Sequence, residues 1–294
     1  MSDKARILCG SSLAQAQQVN IIQAVTAIVS KGYRPPCLTV ILAGDNPASA
    51  IYVKAKQSAC ESVGIHSKVW RFAKTASQAE LMDAVHRLNQ DQEIDGILIQ
   101  LPLPNGLDAD ALLDTLDPSK DVDGLTPYNL GCLLRRNPRF IPCTPLGCLD
   151  LIHQSTQDIS GKRAVVFGRS LLIGRPMALL LEQYGATVTV VHSKSRNVPE
   201  ISRQADIVVA AIGQPGLITA DYIKTGAIVI DVGITRMGNS IVGDVHESVS
   251  NIAGWLTPVP GGVGPMTITK LLSNTVKAAQ DRIDHMEKRT SPAC

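Results

Sequence analysis

Apolar residues along this chain come in short bursts, separated by longer stretches in which apolar and polar positions mix. Cys37–Ala43 is an apolar, β-branched run ending at Gly44, which predicts a buried strand. Asn46 is placed to cap a following helix and Pro47 suits its first turn. That helix is predicted through Tyr52 and Lys56 to about Val63, with Gly64 as its stop. His66–Phe72 reads as a weaker strand, and Ser77–Gln90 as a helix on the spacing of Leu81, Val85 and Leu88. Gly96–Leu101 is a buried strand cut off by Pro102 and Pro104, and Asp108–Leu116 a short helix. Strands separated by helices predict a mostly parallel sheet. From Lys120 to Pro145 the sequence is turn-rich, with Pro127, Pro138, Pro142 and Pro145, and reads as a connection that carries site residues. The alternation then restarts. Strands are expected at Arg163–Phe167, Thr187–Val191, Ile207–Ile212 and Ala227–Asp231, with helices at Pro176–Tyr184 and Val198–Gln204. After Pro265 a last helix is predicted toward Met286. The fold class is α/β, with two α/β domains, the second a Rossmann-like dinucleotide-binding domain.

Composition narrows the choice of partners. With aromatic residues at only 3%, the cores must be built from Ala, Val, Ile and Leu, and few rings remain to stack on bases. The formal charge is +2 and no long basic stripe is visible, so nucleic acid is not expected as a partner. The Lys288-Arg289 pair reads as a solvated helix end. No apolar run reaches membrane-spanning length, and the opening residues show no signal-peptide pattern. Seven scattered cysteines without a Cys-x-x-Cys pair point to reduced, mostly buried thiols in a cytoplasmic protein. The histidines lack metal-ligand spacing, so no metal is expected.

Several segments carry chemistry. Gly168-Arg-Ser-Leu-Leu-Ile-Gly174-Arg-Pro176 lies between a strand and a helix, where a phosphate-cradling loop belongs. It is not the usual G-x-G-x-x-G, and taken alone it could equally be a tight βα turn. Its place within a full βαβ unit favours the nucleotide reading. The next strand ends in Val191-His-Ser193-Lys-Ser-Arg196, with no acid for the ribose hydroxyls of NAD. Ser193, Arg196 and Arg169 suit a 2′-phosphate, which predicts NADP. Ser49, Tyr52 and Lys56 share one helical face beside a strand's carboxyl end. Short-chain dehydrogenases also use Tyr-x-x-x-Lys, but after their nucleotide loop; here it comes more than a hundred residues before it, which argues against that class. Gln100 ends a buried strand before two prolines. Lys120-Asp121-Val-Asp123-Gly124 sets two carboxylates before a glycine, with Asp121 suited to an Asx-type turn. Pro258–Thr267 is so rich in Gly and Pro that it is expected to form a shaped loop and no regular structure.

Together these segments resemble the bifunctional methylenetetrahydrofolate dehydrogenase/methenyltetrahydrofolate cyclohydrolase family. The matching stretches are GDNPAS with IYVKAK, QLPLP, KDVDG, PCTP at Pro142–Pro145, GRSLLIGRP, VHS, DVG at Asp231–Gly233, and PVPGGVGPMT, in the expected order from Gly44 to Thr267. Two positions depart from the family's pattern: Cys9, where an acid is common, and His246 after Val245. The resemblance implies two α/β domains with a cleft between them, and a homodimer formed through the nucleotide domain. The expected division is a folate-binding catalytic domain at 1–145, completed by a C-terminal helix at 268–294, and an NADP-binding domain at 146–267. By resemblance Lys56 is the catalytic lysine, with Tyr52, Gln100 and Asp123 beside it. Asp123 holds the pterin, and Ser49, Pro260, Gly261 and Gly262 also border the substrate. Gly168, Arg169, Ser170, Ser193, Arg196 and Ile234 are expected to bind the cofactor. The expected substrates are one-carbon derivatives of tetrahydrofolate. A monofunctional dehydrogenase or cyclohydrolase of the same family is the nearest alternative, and a nucleotide-sensing relative would be expected to have lost Lys56 or Gln100; both are present.

Overall fold

The computed structural model of the chain describes residues 4–238 and 240–290. These form two compact units, one built from the residues up to 16 with 142–267, the other from 17–141 with 268 onward. Chain order begins β1 (Arg6–Ile7), α1 (Gly10–Ser30), β2 (Cys37–Ala43), α2 (Pro47–Ser62), β3 (His66–Phe72), α3 (Gln78–Gln90), β4 (Gly96–Ile99), α4 (Ala109–Thr115) and α5 (Pro127–Leu134). It continues α6 (Cys143–Ser155), β5 (Arg163–Phe167), α7 (Gly174–Gln183), β6 (Thr187–Val191), α8 (Val198–Ser202), β7 (Ile207–Ala210) and β8 (Ile228–Asp231). A short hairpin of β9 (Thr235–Met237) and β10 (Ser240–Val242), then β11 (Trp255–Leu256) and α9 (Val263–Thr290), complete it.

The unit containing residues 17–141 holds a three-stranded parallel sheet in the order β3-β2-β4. β2 is central and every one of its positions is buried, which is why its sequence is apolar apart from Thr39. Ile41, Ala43, Ile97 and Ile99 from the strands meet Leu81, Val85 and Leu88 of α3, Leu112 of α4 and Leu116 just after it in one core. Burying each large aliphatic side chain contributes roughly 1.5–3 kcal/mol. Helix starts follow the local capping residues. Asn46 Oδ1 accepts the N–H groups of Ala48 and Ser49 at the start of α2, and Ser77 with Glu80 forms a capping box on α3.

The other unit holds a six-stranded sheet, β1-β11-β8-β7-β5-β6, parallel throughout. Its central strands are buried on both faces. Ala164, Val166, Ile207, Val209, Ile228 and Ile230 face one core, and Val165, Phe167, Val208, Ala210 and Val229 the other. Residues up to 16 group here, away from the segment that follows them, because β1 pairs with β11 and the Arg6 guanidinium lies 5.2 Å from the centre of the Trp255 ring.

Several parts of the chain differ from the sequence reading, among them the short strands β1, β9, β10 and β11. Helix α1 was not expected; the adjacent apolar pairs Ile21-Ile22 and Ile28-Val29 blur its period, although Ile21, Val25 and Ile28 form its buried stripe. The stretch 120–145 is not wholly irregular, because Thr126 caps α5 with Pro127 in its first turn and α6 begins at Cys143. The Pro258–Thr267 segment is likewise irregular only in its first half. From Val263 it is the first turns of α9, where Pro265 has no intrahelical N–H bond to lose.

Arg34, Asp95 and Arg282 link the 17–141 segment to α9. Asp95 accepts from Arg34 at 2.6 and 3.1 Å, from Arg282 at 2.8 Å and from the Cys37 N–H at 2.9 Å. Its side chain is fully buried. Asp95→Ala leaves two guanidinium groups without this partner and is expected to cost about 3–5 kcal/mol in urea unfolding, far more than removal of an exposed pair such as Lys74–Asp45.

Candidate active site

α2 starts directly after the carboxyl end of β2, so its first turns stand where ligands of parallel sheets bind. Ser49 is buried there, while Tyr52 and Lys56, one and two turns on, are half-buried. From the end of neighbouring β4, Gln100 reaches the same place. Lys56 Nζ donates to Gln100 Oε1 at 3.0 Å, and Gln100 Nε2 donates to the Leu101 carbonyl at 2.7 Å. The second bond decides which end of the amide faces the lysine, so an acceptor is presented to the amine. Burial pushes the Tyr52 phenol up from its ordinary value, which keeps it protonated as a hydrogen-bond donor.

Asp123 belongs to the same unit and lies half-buried in the turn that follows the loop paired to β4. Its neighbour Asp121 has a different task. Its carboxylate is buried and accepts the N–H groups of Leu125 at 3.2 Å and Thr126 at 2.8 Å and the Asn129 amide at 2.8 Å. Asp121 thus ties its loop to the start of α5, spanning further than the local Asx turn expected of it.

Pro260, Gly261 and Gly262 fall in the other unit. There Ser11 donates to the Gly261 carbonyl through its N–H at 3.0 Å and through its hydroxyl at 3.3 Å. The same unit carries the nucleotide candidates. The sheet order changes direction around β5, which has β6 on one side and β7 on the other, so a crevice opens outside the carboxyl ends of β5 and β7. Gly168 lines it at φ 104°, and the place a Cβ would take is filled by the Ala211 carbonyl. At Gly174 that place is filled by the Gly168 carbonyl. The Ser170 hydroxyl accepts from the N–H groups of Ile173 at 3.2 Å and Gly174 at 3.5 Å, at the start of α7. Gly168 N donates to the Val191 carbonyl at 2.9 Å, which brings the loop beside the end of β6. Arg169, Ser193, Arg196 and Ile234 are exposed, while Ser195 is taken up by accepting the His192 N–H at 3.0 Å. A cradle that admits no side chain, a helix start and two exposed arginines with a serine fit a dinucleotide carrying an extra phosphate.

The sequence reading missed the residues that hold this rim. Asp231 Oδ1 accepts from Gly233 N at 3.0 Å and Asp244 N at 2.9 Å, and Oδ2 from Val245 N at 3.0 Å. Asp244 Oδ2 accepts from Ile212 N at 2.7 Å and Gly213 N at 3.0 Å, in the loop after β7. Asp231 lies in the DVG stretch that carries the family resemblance, but its role in holding the neighbouring loops was not legible from that motif. The same unit shows its class: a parallel α/β nucleotide-binding domain, in a chain whose other unit presents a lysine–amide pair.

Comparison with known proteins agrees with that class. A family model described as the tetrahydrofolate dehydrogenase/cyclohydrolase catalytic domain matches residues 8–123, and one described as the NAD(P)-binding domain of the same enzymes matches residues 142–283. The bifunctional protein FolD of Moorella thermoacetica is 49% identical over 94% of this chain and 99% of its own length. The crystal structure of the bifunctional FolD dehydrogenase/cyclohydrolase of Campylobacter jejuni matches with a TM-score of 0.91 at 45% identity, covering 95% of this chain and 99% of that one. The Trypanosoma brucei FolD enzyme, complexed with NADP cofactor and inhibitor, matches at 0.92 and 38% identity over the same shares. The chain belongs to the tetrahydrofolate dehydrogenase/cyclohydrolase family.

Two outcomes follow for the nucleotide unit. Gly168→Ala drives a methyl into the Ala211 carbonyl and is expected to weaken NADP binding by about tenfold or more in a fluorescence titration. Burial raises the Asp231 carboxyl from 3.8 to about 6. Because the folded-state value is the higher one, the protonated form is favoured by folding, and stability is lost as pH rises from about 4 to about 6. Asp231→Asn removes that loss, so its melting temperature relative to wild type should climb across this window and stay level above it.

Proposed function

We propose that this protein oxidises 5,10-methylenetetrahydrofolate to 5,10-methenyltetrahydrofolate with NADP+ and hydrolyses the product to 10-formyltetrahydrofolate. The observation that carries the reading is the 3.0 Å bond from Lys56 Nζ to Gln100 Oε1 at the carboxyl end of a parallel sheet, in one chain with a complete nucleotide cradle. A dehydrogenase without hydrolysis needs only the second; this chain carries both.

Bound NADP+ supplies the hydride acceptor for the oxidation. Loss of hydride from the methylene carbon leaves a cation shared by two folate nitrogens, so that step asks for positioning and no strong base. Hydrolysis asks for proton transfer. Water adds to the methenyl carbon and gives up a proton, then a ring nitrogen takes a proton as its bond to that carbon breaks and the formyl group forms. One amine that accepts and then donates serves both events, and one proton leaves to solvent overall. Gln100, a neutral amide, orients the Lys56 amine without the opposite charge a carboxylate would bring. Tyr52 is a protonated donor one turn away. Asp123 accepts hydrogen bonds from the amino-pyrimidine edge of the pterin, and Ser49 borders the substrate. Arg169, Ser193 and Arg196 would hold the 2′-phosphate of the cofactor, and Gly168, Ser170 and Ile234 would line its cradle.

We further read the enzyme as a cytoplasmic homodimer whose 10-formyl product feeds purine assembly. Exposed Met237 and Ile241 on the β9–β10 hairpin of the nucleotide unit support the dimer, and free thiols such as Cys37, Cys60 and Cys148 suit a reducing compartment. Among the described residues no helix is long and apolar enough to cross a membrane.

The test is absorbance at the reduced-nicotinamide band on mixing protein, 5,10-methylenetetrahydrofolate and either NADP+ or NAD+. Fast reduction of NADP+ and slow reduction of NAD+ is expected; no reduction of either would overturn the dehydrogenase assignment. Lys56→Met should abolish hydrolysis of added methenyltetrahydrofolate while NADP binding stays near wild type. Hydrolysis at the wild-type rate would remove Lys56 from the mechanism. Asp123→Ala should raise the KM for folate substrate far more than the KM for NADP.

A further inference from the structure

The turn that carries Asp123 is part of no regular strand or helix, yet side chains from the surrounding elements hold it. Its amino-terminal end lies along β4, with Ile97 N donating to the Lys120 carbonyl at 2.8 Å and Asp121 bridged in parallel to Ile97. The Lys120 side chain then crosses to the end of α3, where Nζ donates to the Leu88 carbonyl at 2.8 Å and the Asp91 carbonyl at 2.7 Å. Those carbonyls end a helix and carry its negative dipole charge, a fitting partner for an ammonium group. Asp121 fastens the other side of the turn to the start of α5.

The third attachment comes from far along the chain. Asn274, buried on α9, donates through Nδ2 to the Val122 carbonyl at 2.9 Å and the Ile141 carbonyl at 3.2 Å. Val122 is the residue between the two aspartates. Its side chain is fully buried against Gly96, where an added Cβ would meet both Val122 methyl groups at 2.8 and 2.9 Å. Sheet, two helices and the last helix thus converge on residues 120–122, and residue 123 is the next one along. Lys120 ties the turn outward to the end of α3 and Asn274 ties its backbone inward to α9, so donors with half-buried or buried side chains hold the turn from two sides.

We propose that Asn274 and Lys120 are positioning residues for folate recognition: they fix the turn backbone so that the Asp123 carboxylate meets the pterin, and they act only through Asp123. The proposal rests on the folate reading above and adds to it which residues outside the site set the affinity for that substrate. Neither side chain is assigned a part in hydride or proton transfer.

The test is a double-mutant cycle in the purified enzyme, with Asn274→Ala made alone and together with Asp123→Ala. Asn274→Ala is expected to raise the KM for 5,10-methylenetetrahydrofolate about fivefold, as loss of one or two buried hydrogen bonds predicts, with kcat and the KM for NADP within about twofold. In the Asp123→Ala background the same change should add almost nothing. A residue that merely stabilises the fold would instead lower the melting temperature and add its full effect in both backgrounds, and that result would overturn the proposal. So would an equal rise in both KM values. If Asn274→Ala does not fold, Lys120→Met carries the same cycle, with rescue by Lys120→Arg expected to restore the KM at least in part. Turnover by wild type and a raised folate KM in Asp123→Ala alone are the controls: their failure counts against the folate reading itself, whereas their success with additive effects counts only against the positioning role.

Discussion

A carboxylate taken out of water must be met by donors, and much of this protein's loop structure is the answer to that requirement. Asp121, Asp231 and Asp244 are all buried, and each is met largely by backbone N–H groups. The N–H groups they receive belong to loops: the turn between α4 and α5, the segments after β8 and β10, and Ile212–Gly213 after β7. Loops of this kind would otherwise leave their donors to solvent and move. Pinning them with a carboxylate converts the carboxyl ends of two parallel sheets into surfaces of fixed shape, which both binding sites require.

The cost of this device is visible at Asp231. Three N–H groups favour its charged form, yet desolvation outweighs them and lifts its carboxyl to about 6, with nearby Asp244 adding to the rise. Asp95 meets the same requirement with charge, taking two guanidinium groups and one N–H. That choice suits a site whose role is cohesion between α9 and the strands, because breaking such a cluster is far more disruptive than leaving it whole.

At the two candidate sites chemistry depends on closeness of different kinds. The nucleotide loop depends on having no side chain: carbonyl groups occupy the Cβ positions of Gly168 and Gly174, so backbone packs on backbone beside the start of α7. The Lys56 site depends on one well-oriented amide. Gln100 has its Nε2 committed to the Leu101 carbonyl, which leaves Oε1 for the amine. Both arrangements join residues far apart in the chain, Lys56 with Gln100 and Gly168 with Ala211, brought together where neighbouring parallel strands end.

Local residue chemistry made much of this legible. Asn46 with Pro47, and the apolar runs of β2, β5 and β7, announce their elements because capping and burial act over a few residues. The family resemblance, and not local chemistry, pointed to Lys56, Gln100, Asp123 and the Gly168 loop. The sequence was misleading where a helix has an ambiguous period, as in α1, or starts inside a Gly- and Pro-rich segment, as α9 does at Val263. What only the tertiary structure decided is which polar groups meet across long separations: Asn274 on the Val122 carbonyl, Asp244 on Ile212 and Gly213, residues up to 16 joined to the nucleotide unit through β1 and β11. No local preference encodes such pairs. They are selected when the folded chain buries a donor and an acceptor together and each must find a partner.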